Sequence, residues 1–397
     1  MSPSTDVAII GGGAIGSAIA YFLLSDPAFK GRVTVIERDP SYARASSALS
    51  ASSIRQQFST PENIRMSRFG FAFLSDIGRH LAVDGDPVDI GLREGGYLYL
   101  ATPEHEAVLR ENHAIQRAEA AEVALLTPGG LAARFPWLAL DGVTLGSLGL
   151  KGEGWFDGYG LMQAFRRKAR TLGAEYIAAE ALGLEIAGEA RARRIAAVKL
   201  ADGSTLACGT LVNAAGPWAR AVAAMARIPL PVEARRRCVF VFDARRKLEN
   251  CPLLIDTSGI WFRPEGEFFI CGTSPPEAED RDGLPLEVDH RQFEEILWPA
   301  LAARVPAFEA VKSINAWAGY YEYNTFDQNA VLGPHPELAN FLFANGFSGH
   351  GIQQSPAVGR AIAELIVHGR YVSLDLAIFG YGRIAAGKPV VEKNVIG

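Results

Sequence analysis

The sequence predicts an α/β domain on a mostly parallel sheet, with a mainly antiparallel α+β unit inserted into it. Three observations carry this. A buried strand, a glycine-rich turn and an apolar helix open the chain. Two further passages from a buried strand into small residues and a helix lie near residues 210–218 and 341–366, so one sheet is assembled from distant pieces. Between them, residues 230–330 read as short strands around turns such as Pro264-Glu265-Gly266. The expected division gives residues 1–92, 151–228 and 331–397 to the discontinuous α/β domain. Residues 93–150 and 229–330 form the inserted unit.

Residues 6–10, Asp6-Val7-Ala8-Ile9-Ile10, read as a short buried strand. The next six residues match G-x-G-x-x-G at Gly11, Gly13 and Gly16. Gly11 permits a tight strand-to-helix turn, Gly13 lets backbone approach a pyrophosphate, and Gly16 lets the helix pack on the strand. The helix begins at Ala14-Ile15 and ends before Asp26-Pro27. Its N-terminus offers free N–H groups and the positive end of its dipole to phosphates. Residues 33–36 form a second strand, which runs into Glu37-Arg38. Glu37 lies about 20 residues past the glycines, where an acid accepts hydrogen bonds from a ribose diol. The acid also disfavours a 2′-phosphate, which leaves FAD or NAD and makes the domain Rossmann-like.

Residues 44–53 are small and hydroxyl-rich, with Ser46, Ser47, Ser50 and Ser52. They suit contact with a cofactor; a polar surface loop is the alternative. Helices are expected at 61–74, 103–123, 127–135 and 161–172, and a strand at 95–100. Residues 180–211 read as strands around Ala201-Asp202-Gly203. The strand from Thr210 runs into Ala214-Ala215-Gly216-Pro217-Trp218, whose small side chains allow close approach of a ligand. In the inserted unit, strands are expected at 237–242, 253–256, 259–263 and 268–272, and one helix at 291–303.

The chain returns with a strand at 341–344 and the loop Asn345-Gly346-Phe347-Ser348-Gly349-His350-Gly351-Ile352-Gln353. Ser355-Pro356 read as N-cap and first turn of the helix behind it, which carries Val358, Ile362, Leu365 and Ile366 on one face and stops at Gly369. A second glycine-rich loop before a helix suits the negative charge that a reduced flavin develops at its N1–C2=O edge. A nicotinamide needs no such partner, so an NAD-dependent dehydrogenase would leave this loop unexplained.

The net charge of −5 argues against a nucleic-acid partner. Arg235-Arg236-Arg237 and Arg245-Arg246-Lys247 read as solvated strand ends and turns, with an anionic partner or substrate as the alternative. Cys208, Cys238, Cys251 and Cys271 form no C-x-x-C, so reduced thiols and no metal site are expected. No apolar run reaches membrane-spanning length. The first strand begins at residue 6, which leaves no room for a signal peptide, so a soluble cytoplasmic protein is expected.

These residues resemble the FAD-dependent amine and amino-acid oxidoreductases of the D-amino-acid oxidase type, a family that includes glycine oxidase, sarcosine oxidase and dimethylglycine dehydrogenase. Three motifs carry the resemblance: residues 11–37, 212–218 and 344–361. The segment Tyr320-Tyr321-Glu322-Tyr323-Asn324-Thr325-Phe326-Asp327 looks closest to the branch of FAD-dependent oxidoreductase domain-containing proteins. The resemblance implies that Gly11 to Gly16 hold the pyrophosphate and Glu37 the ribose. It implies that the four serines line the pyrophosphate and flavin edge. Glu180-Ala181 would meet adenine through backbone, and Ala215-Gly216 would flank the adenosine. Residues 349–353 would cradle the flavin pyrimidine, beside Gly346 and Ser348. Tyr320 stands where the sarcosine oxidases attach flavin through cysteine, and Leu49 or Ser50 where dimethylglycine dehydrogenase uses histidine, so non-covalent FAD is implied. Ile270 or Cys271 stands where the sarcosine oxidases carry an oxygen-activating lysine, which favours a dehydrogenase. Tyr321 replaces the carboxylate-binding arginine of glycine oxidase. Arg55 matches the sarcosine oxidases' arginine, and Gln353 replaces their lysine; a salt bridge is the other reading of Arg55.

The expected function is oxidation of the C–N bond of a small amino acid or secondary amine, by hydride transfer to flavin N5. Arg55, Tyr320, Tyr321, Trp261 and Gln353 would shape the substrate site, and His350 would shape the pocket or stabilise its loop by hydrogen bonding. A quinone or an electron-transfer protein would accept the electrons. The alternative is a flavin-binding assembly or scaffold protein with secondary redox activity.

Overall fold

The computed structural model describes residues 3–189 and 192–393; the expected domain limits at 1 and 397 lie outside them. Among the described residues there are two eight-stranded sheets. The parallel part of the first runs in the order Leu338–Asn345, Thr205–Asn213, Ser4–Ile10, Val33–Glu37, Glu175–Ala178. Ile9 lies between Val212 and Val35, and Val212 lies beside Leu342. These strands are covered on both faces, so they read as continuous apolar runs rather than alternating ones. Val331–His335 pairs antiparallel at one edge. The hairpin Ala181–Ala187 and Arg194–Leu200 joins antiparallel to Thr205–Asn213.

Alternate side chains of the first strand divide between two cores. Val7 and Ile9 pack with the helices Ala14–Ser25, Pro61–Ser75, Gly158–Thr171 and Gly351–His368. Ala8 and Ile10 pack with Leu211, Phe341 and the helix Ala219–Met225. The helices Ala14–Ser25 and Gly351–His368 touch closely: a Cβ on Gly359 would lie 2.8 Å from the Ala18 backbone. This contact brings the start of the second helix, and the glycine loop before it, up to the first nucleotide-type turn.

The second sheet runs Val311–Asn324, Val232–Ala244, Phe268–Gly272, Trp261–Glu265, Leu253–Ile255, Tyr97–Ala101, Leu145–Gly149, Val123–Leu126. All neighbours are antiparallel except Leu253–Ile255 and Tyr97–Ala101. Its core gathers Phe240, Phe242, Phe262 and Phe308 with Leu297 and Leu301.

Several expectations are corrected. The strand expected at 237–242 spans Val232–Ala244, and its partner Val311–Asn324 was not expected at all. The helix expected at 103–123 is Glu106–Ala118; Ala120 takes a left-handed φ of 56° and the chain re-enters the sheet at Val123–Leu126. The helix expected at 291–303 is a wider π segment, Gln292–Leu297, followed by an α segment, Trp298–Arg304. Pro299 has no N–H to return to the preceding turn.

The last helix starts at Gly351, so Ser355 and Pro356 lie inside it rather than at its cap. Pro356 cannot donate to the Ile352 carbonyl. The Ser355 hydroxyl donates to that carbonyl instead, at 2.9 Å, so the helix carries the proline without an orphaned acceptor.

Candidate active site

The first glycine turn needs glycine for steric reasons. Gly11 has φ +104°, and a Cβ there would lie 2.2 Å from the Ala214 carbonyl oxygen. A Cβ on Gly16 would lie 1.9 Å from the Gly11 oxygen. Gly13 is the N-cap of the helix, and Ala14 N–H donates to Ser47 Oγ at 3.1 Å. Glu37 accepts from the N–H groups of Gly12 and Asp39, both at 2.8 Å, which fixes the carboxylate at the mouth of the turn. Arg38 stacks over the Trp218 ring at 4.0 Å and reaches Glu180 at 3.5 Å.

Gly11, Gly13, Ala14, Ser47, Glu37, Arg38, Trp218 and Glu180 line the first part of a long cleft, about 1050 Å³ in volume, together with Ile15, Ser46, Ala181, Ala215 and Gly216. Gly16 does not reach the cleft and acts only beneath the turn.

The second part of the cleft, about 1040 Å³, is walled by Ser50, Ser52, Trp261, Tyr320, Tyr321, Gly349, Gly351 and Ile352. Both parts share Ala14, Ile15, Ser46, Ser47 and Glu322. The strand Val311–Asn324 organises this wall. It accepts the Ser46 hydroxyl at the Tyr320 carbonyl (2.6 Å) and sends the Trp317 indole N–H to the Leu49 carbonyl (2.9 Å), which docks the serine segment. It also holds the second glycine loop. Gly346 N–H donates to Glu322 Oε2 at 3.0 Å, Ser348 N–H to the Glu322 carbonyl at 3.1 Å, and Asn324 N–H to Ser348 Oγ at 2.9 Å. Gly349 has φ +95°, and a Cβ there would meet the Tyr321 ring at 2.6 Å.

Five expected residues lie behind this wall rather than in it. Gly346 and Ser348 are tied to the strand as described. Arg55 is buried, with Nη2 2.7 Å from His350 Nε2 and its guanidinium 4.7 Å from the Phe58 ring centre. Arginine can only donate, so His350 Nε2 accepts and the ring proton sits on Nδ1. Burial, and then the Arg55 charge, hold His350 well below the usual imidazole range, hence neutral. Gln353 is buried too, and its Oε1 accepts the Arg55 N–H at 2.9 Å. Arg55 and Gln353, expected at the substrate, are not among the residues lining either part of the cleft; they meet the glycine loop and its helix through the His350 ring and a backbone N–H.

The structure adds residues the sequence reading left aside. Arg237, read as a solvated strand end, lines the second part of the cleft and is buried. Its Nη1 and Nη2 donate to the two oxygens of Asp280 at 2.8 and 3.0 Å, and it lies 5.1 Å from the Tyr321 ring centre. Arg237 pairs across the sheet with Gly319, so it reaches diagonally to Tyr321. Cys238 lines the same wall, and all four cysteines are buried thiols without disulfides. Among the described residues Glu322 is the only acid in that wall, and no lysine lines either part of the cleft.

The two parts fit a two-ended cofactor. The tight glycine turn sets Gly13 and Ala14, the start of the helix Ala14–Ser25, in the wall of the first part, a helix N-terminus suited to a pyrophosphate. Small and hydroxyl side chains line the passage between the ends.

The comparisons agree. The family described as FAD dependent oxidoreductase matches residues 6–365. FAD-dependent oxidoreductase domain-containing protein 1 of Xenopus laevis is 44% identical, over 98% of this chain and 85% of that protein. Glycine oxidase of Geobacillus kaustophilus is 29% identical, over 99% of this chain and all of that one. The crystal structure of L-proline dehydrogenase from P. horikoshii superposes with a TM-score of 0.85 at 25% identity, covering 98% of this chain and 100% of that one. The chain belongs to the FAD-dependent oxidoreductases of the D-amino-acid oxidase (DAO) family, and its cofactor is FAD.

Proposed function

We propose that the protein is a dehydrogenase of small carboxylated amines, which holds FAD non-covalently and oxidises the C–N bond of an amino acid or secondary amine. The observation that carries this reading is the wall of the second part of the cleft: its one basic side chain is Arg237, surrounded by tyrosine, tryptophan and small hydroxyl residues. Bound FAD supplies the acceptor for the hydride. The chain supplies position and charge. Arg237 takes the substrate carboxylate in place of Arg55, and Asp280 occupies the guanidinium meanwhile. Tyr321 and Trp261 confine the carbon skeleton, and Tyr320 is held by its hydroxyl's bond to the Leu284 carbonyl at 2.6 Å.

Gly349, Gly351 and Ile352 would lie along the flavin, with Gly346, Ser348, His350, Arg55 and Gln353 holding that loop in place. Gly11, Gly13, Ala14, Ile15, Ser46 and Ser47 would hold the pyrophosphate; Glu37, Arg38, Glu180, Ala181, Ala215 and Gly216 would hold the adenosine. The relatives named as acting on glycine and L-proline support this substrate class. The lack of a lysine along the cleft supports a quinone or electron-transfer protein as acceptor. Among the described residues no helix is long and apolar enough to cross a membrane, and four buried thiols suit the reducing cytoplasm.

The test is anaerobic. Proline, sarcosine and their decarboxylated counterparts are added in turn to the yellow protein while the visible flavin band is followed. Bleaching by the carboxylated amines, reversed faster by a quinone than by air, is the expected result. No bleaching by any of them defeats the substrate class.

A further inference from the structure

Glu322 has a place in the cleft that neither positioning nor substrate recognition explains. It sits where the two parts meet, so a ligand filling both must pass it. Its Oε2 is engaged by Gly346 N–H. Its Oε1 makes no hydrogen bond among the described residues, yet it is not sealed inside the protein. Oε1 stands at the start of the last helix, 3.1 Å from where a Gly351 Cβ would be.

Among the described residues, neither the paired strand nor the glycine loop offers Glu322 a free counter-charge. On the paired strand Val232–Ala244, Arg237 is engaged by Asp280, and Arg235 by Glu233. On the glycine loop His350 is neutral. On its own strand the neighbours are Tyr320, Tyr321 and Tyr323. On the nucleotide side Arg38 faces Glu180, Glu37 is bound by two N–H groups, and Asp39 and Arg44 also line the cleft. FAD brings a pyrophosphate dianion into this same cleft. An ionised carboxylate at the junction would repel it, and no cation on the strands or the loop around Glu322 pairs with that carboxylate.

We propose that Glu322 is a hydrogen-bond donor to the bound cofactor, with Oε1 as the donating atom, so that it locks FAD in place while it keeps its proton and loosens it on ionising. Burial pushes the carboxyl up to about 8, with the Gly346 N–H opposing, so the donor form prevails at neutral pH. The free protein gives up this proton near that pH, while the complex holds it longer. FAD affinity therefore falls as pH rises through and above about 8 and is constant below about 7. The inference concerns cofactor retention and stands apart from the choice of substrate.

The test dilutes the holoprotein at pH values from about 6 to 9.5 and reads released FAD by its fluorescence. In the wild type the dissociation constant rises towards tenfold per pH unit at the alkaline end. Glu322→Gln keeps an acceptor for Gly346 N–H and a donor for the cofactor without a titrating proton, so its curve stays flat. Parallel curves for the two proteins overturn the proposal, because a carboxyl that merely props the loop gives the same pH profile in both. If Glu322→Gln fails to fold, calorimetry of FAD rebinding to the full wild-type chain decides. At about pH 8.5, in buffers of different ionisation enthalpy, proton uptake is expected, and binding without uptake overturns the proposal.

Discussion

Replacing Arg237 by methionine removes the cation from the second part of the cleft while keeping most of the side chain's volume. The guanidinium lies 5.1 Å from the Tyr321 ring centre, and both terminal nitrogens are held by Asp280. A carboxylated substrate must exchange its own carboxylate for that of Asp280. The gain on binding is therefore the difference between two charged pairs, enlarged because the substrate arrives with its amine neutral and its carboxylate otherwise unpaired. Losing a charged hydrogen bond costs about 1.5–3 kcal/mol, which corresponds to roughly a ten- to 150-fold loss of affinity. Arg237→Met should raise the apparent dissociation constant for proline or sarcosine by that factor in anaerobic rapid-mixing reduction. The limiting rate of flavin bleaching should change little, and pyrrolidine or dimethylamine should be handled as before. Asp280→Asn weakens the competing pair and should tighten the carboxylated substrates several-fold. Equal losses for charged and uncharged amines would refute the reasoning, since they would mean that Arg237 only holds the wall. Full retention of carboxylate binding would return the role to Arg55.

Three further outcomes are expected. Gly16→Ala forces a Cβ onto the Gly11 oxygen, 1.9 Å away; the purified protein should contain little FAD, as read from the ratio of visible to ultraviolet absorbance, and a yellow Gly16→Ala protein would count against the turn geometry. Glu153 is fully buried, with N–H donors from Gln56 and Gln57, and burial pushes its carboxyl up to about 7. The unfolded chain loses that proton near 4.5 and the folded chain only near 7, so stability falls as pH rises between these values, by on the order of 3 kcal/mol, and then levels off; urea denaturation should show a slope in the wild type that is reduced in Glu153→Gln, and identical slopes would refute it. Finally, acid precipitation should release all flavin as FAD; colour left in the pellet would point to Cys238, the one thiol in the cleft wall.

The nucleotide end of the site was legible because its signals are local. A continuous apolar strand, glycines in a fixed pattern and an acid at the end of the next strand all lie within residues 6–37, and each has a steric or electrostatic reason that needs no distant partner. The second wall was legible in part: Ser50, Ser52, Trp261, Tyr320, Tyr321, Gly349, Gly351 and Ile352 were named and line it, but the strand that organises it and Arg237 were missed, because their signals are relational. Val311–Asn324 is half exposed, with no clean alternation, and it becomes a strand only by pairing along its length with Val232–Ala244. Arg237 looks like one of three arginines in a row until that register turns it towards Tyr321. Arg55 and Gln353 illustrate the converse. A resemblance can identify the segment correctly while the local packing, here the His350 ring and a backbone N–H, decides which way the side chain faces. The misplaced start of the last helix has a similar cause: Ser355-Pro356 is a strong local cap signal, overridden because a hydroxyl satisfies the carbonyl that the proline cannot.

The order of strands in the first sheet has a consequence for how the protein comes into being. Ser4–Ile10 precedes its neighbour Thr205–Asn213 by some two hundred residues, and the next strand, Leu338–Asn345, comes later still. The helix Gly351–His368, which packs on the helix behind the first glycine turn, comes after all three. A growing chain therefore carries its phosphate turn, held early only by Val33–Glu37 and Ser47, long before the strand on its other side and the covering helix exist, and the apolar surface they will cover must stay shielded by other means until then. Cofactor capture becomes a late event, one that reports a finished sheet. FAD thus serves this chain as a seal on assembly as well as a reagent: a molecule that has closed around it has brought together every distant piece of its fold.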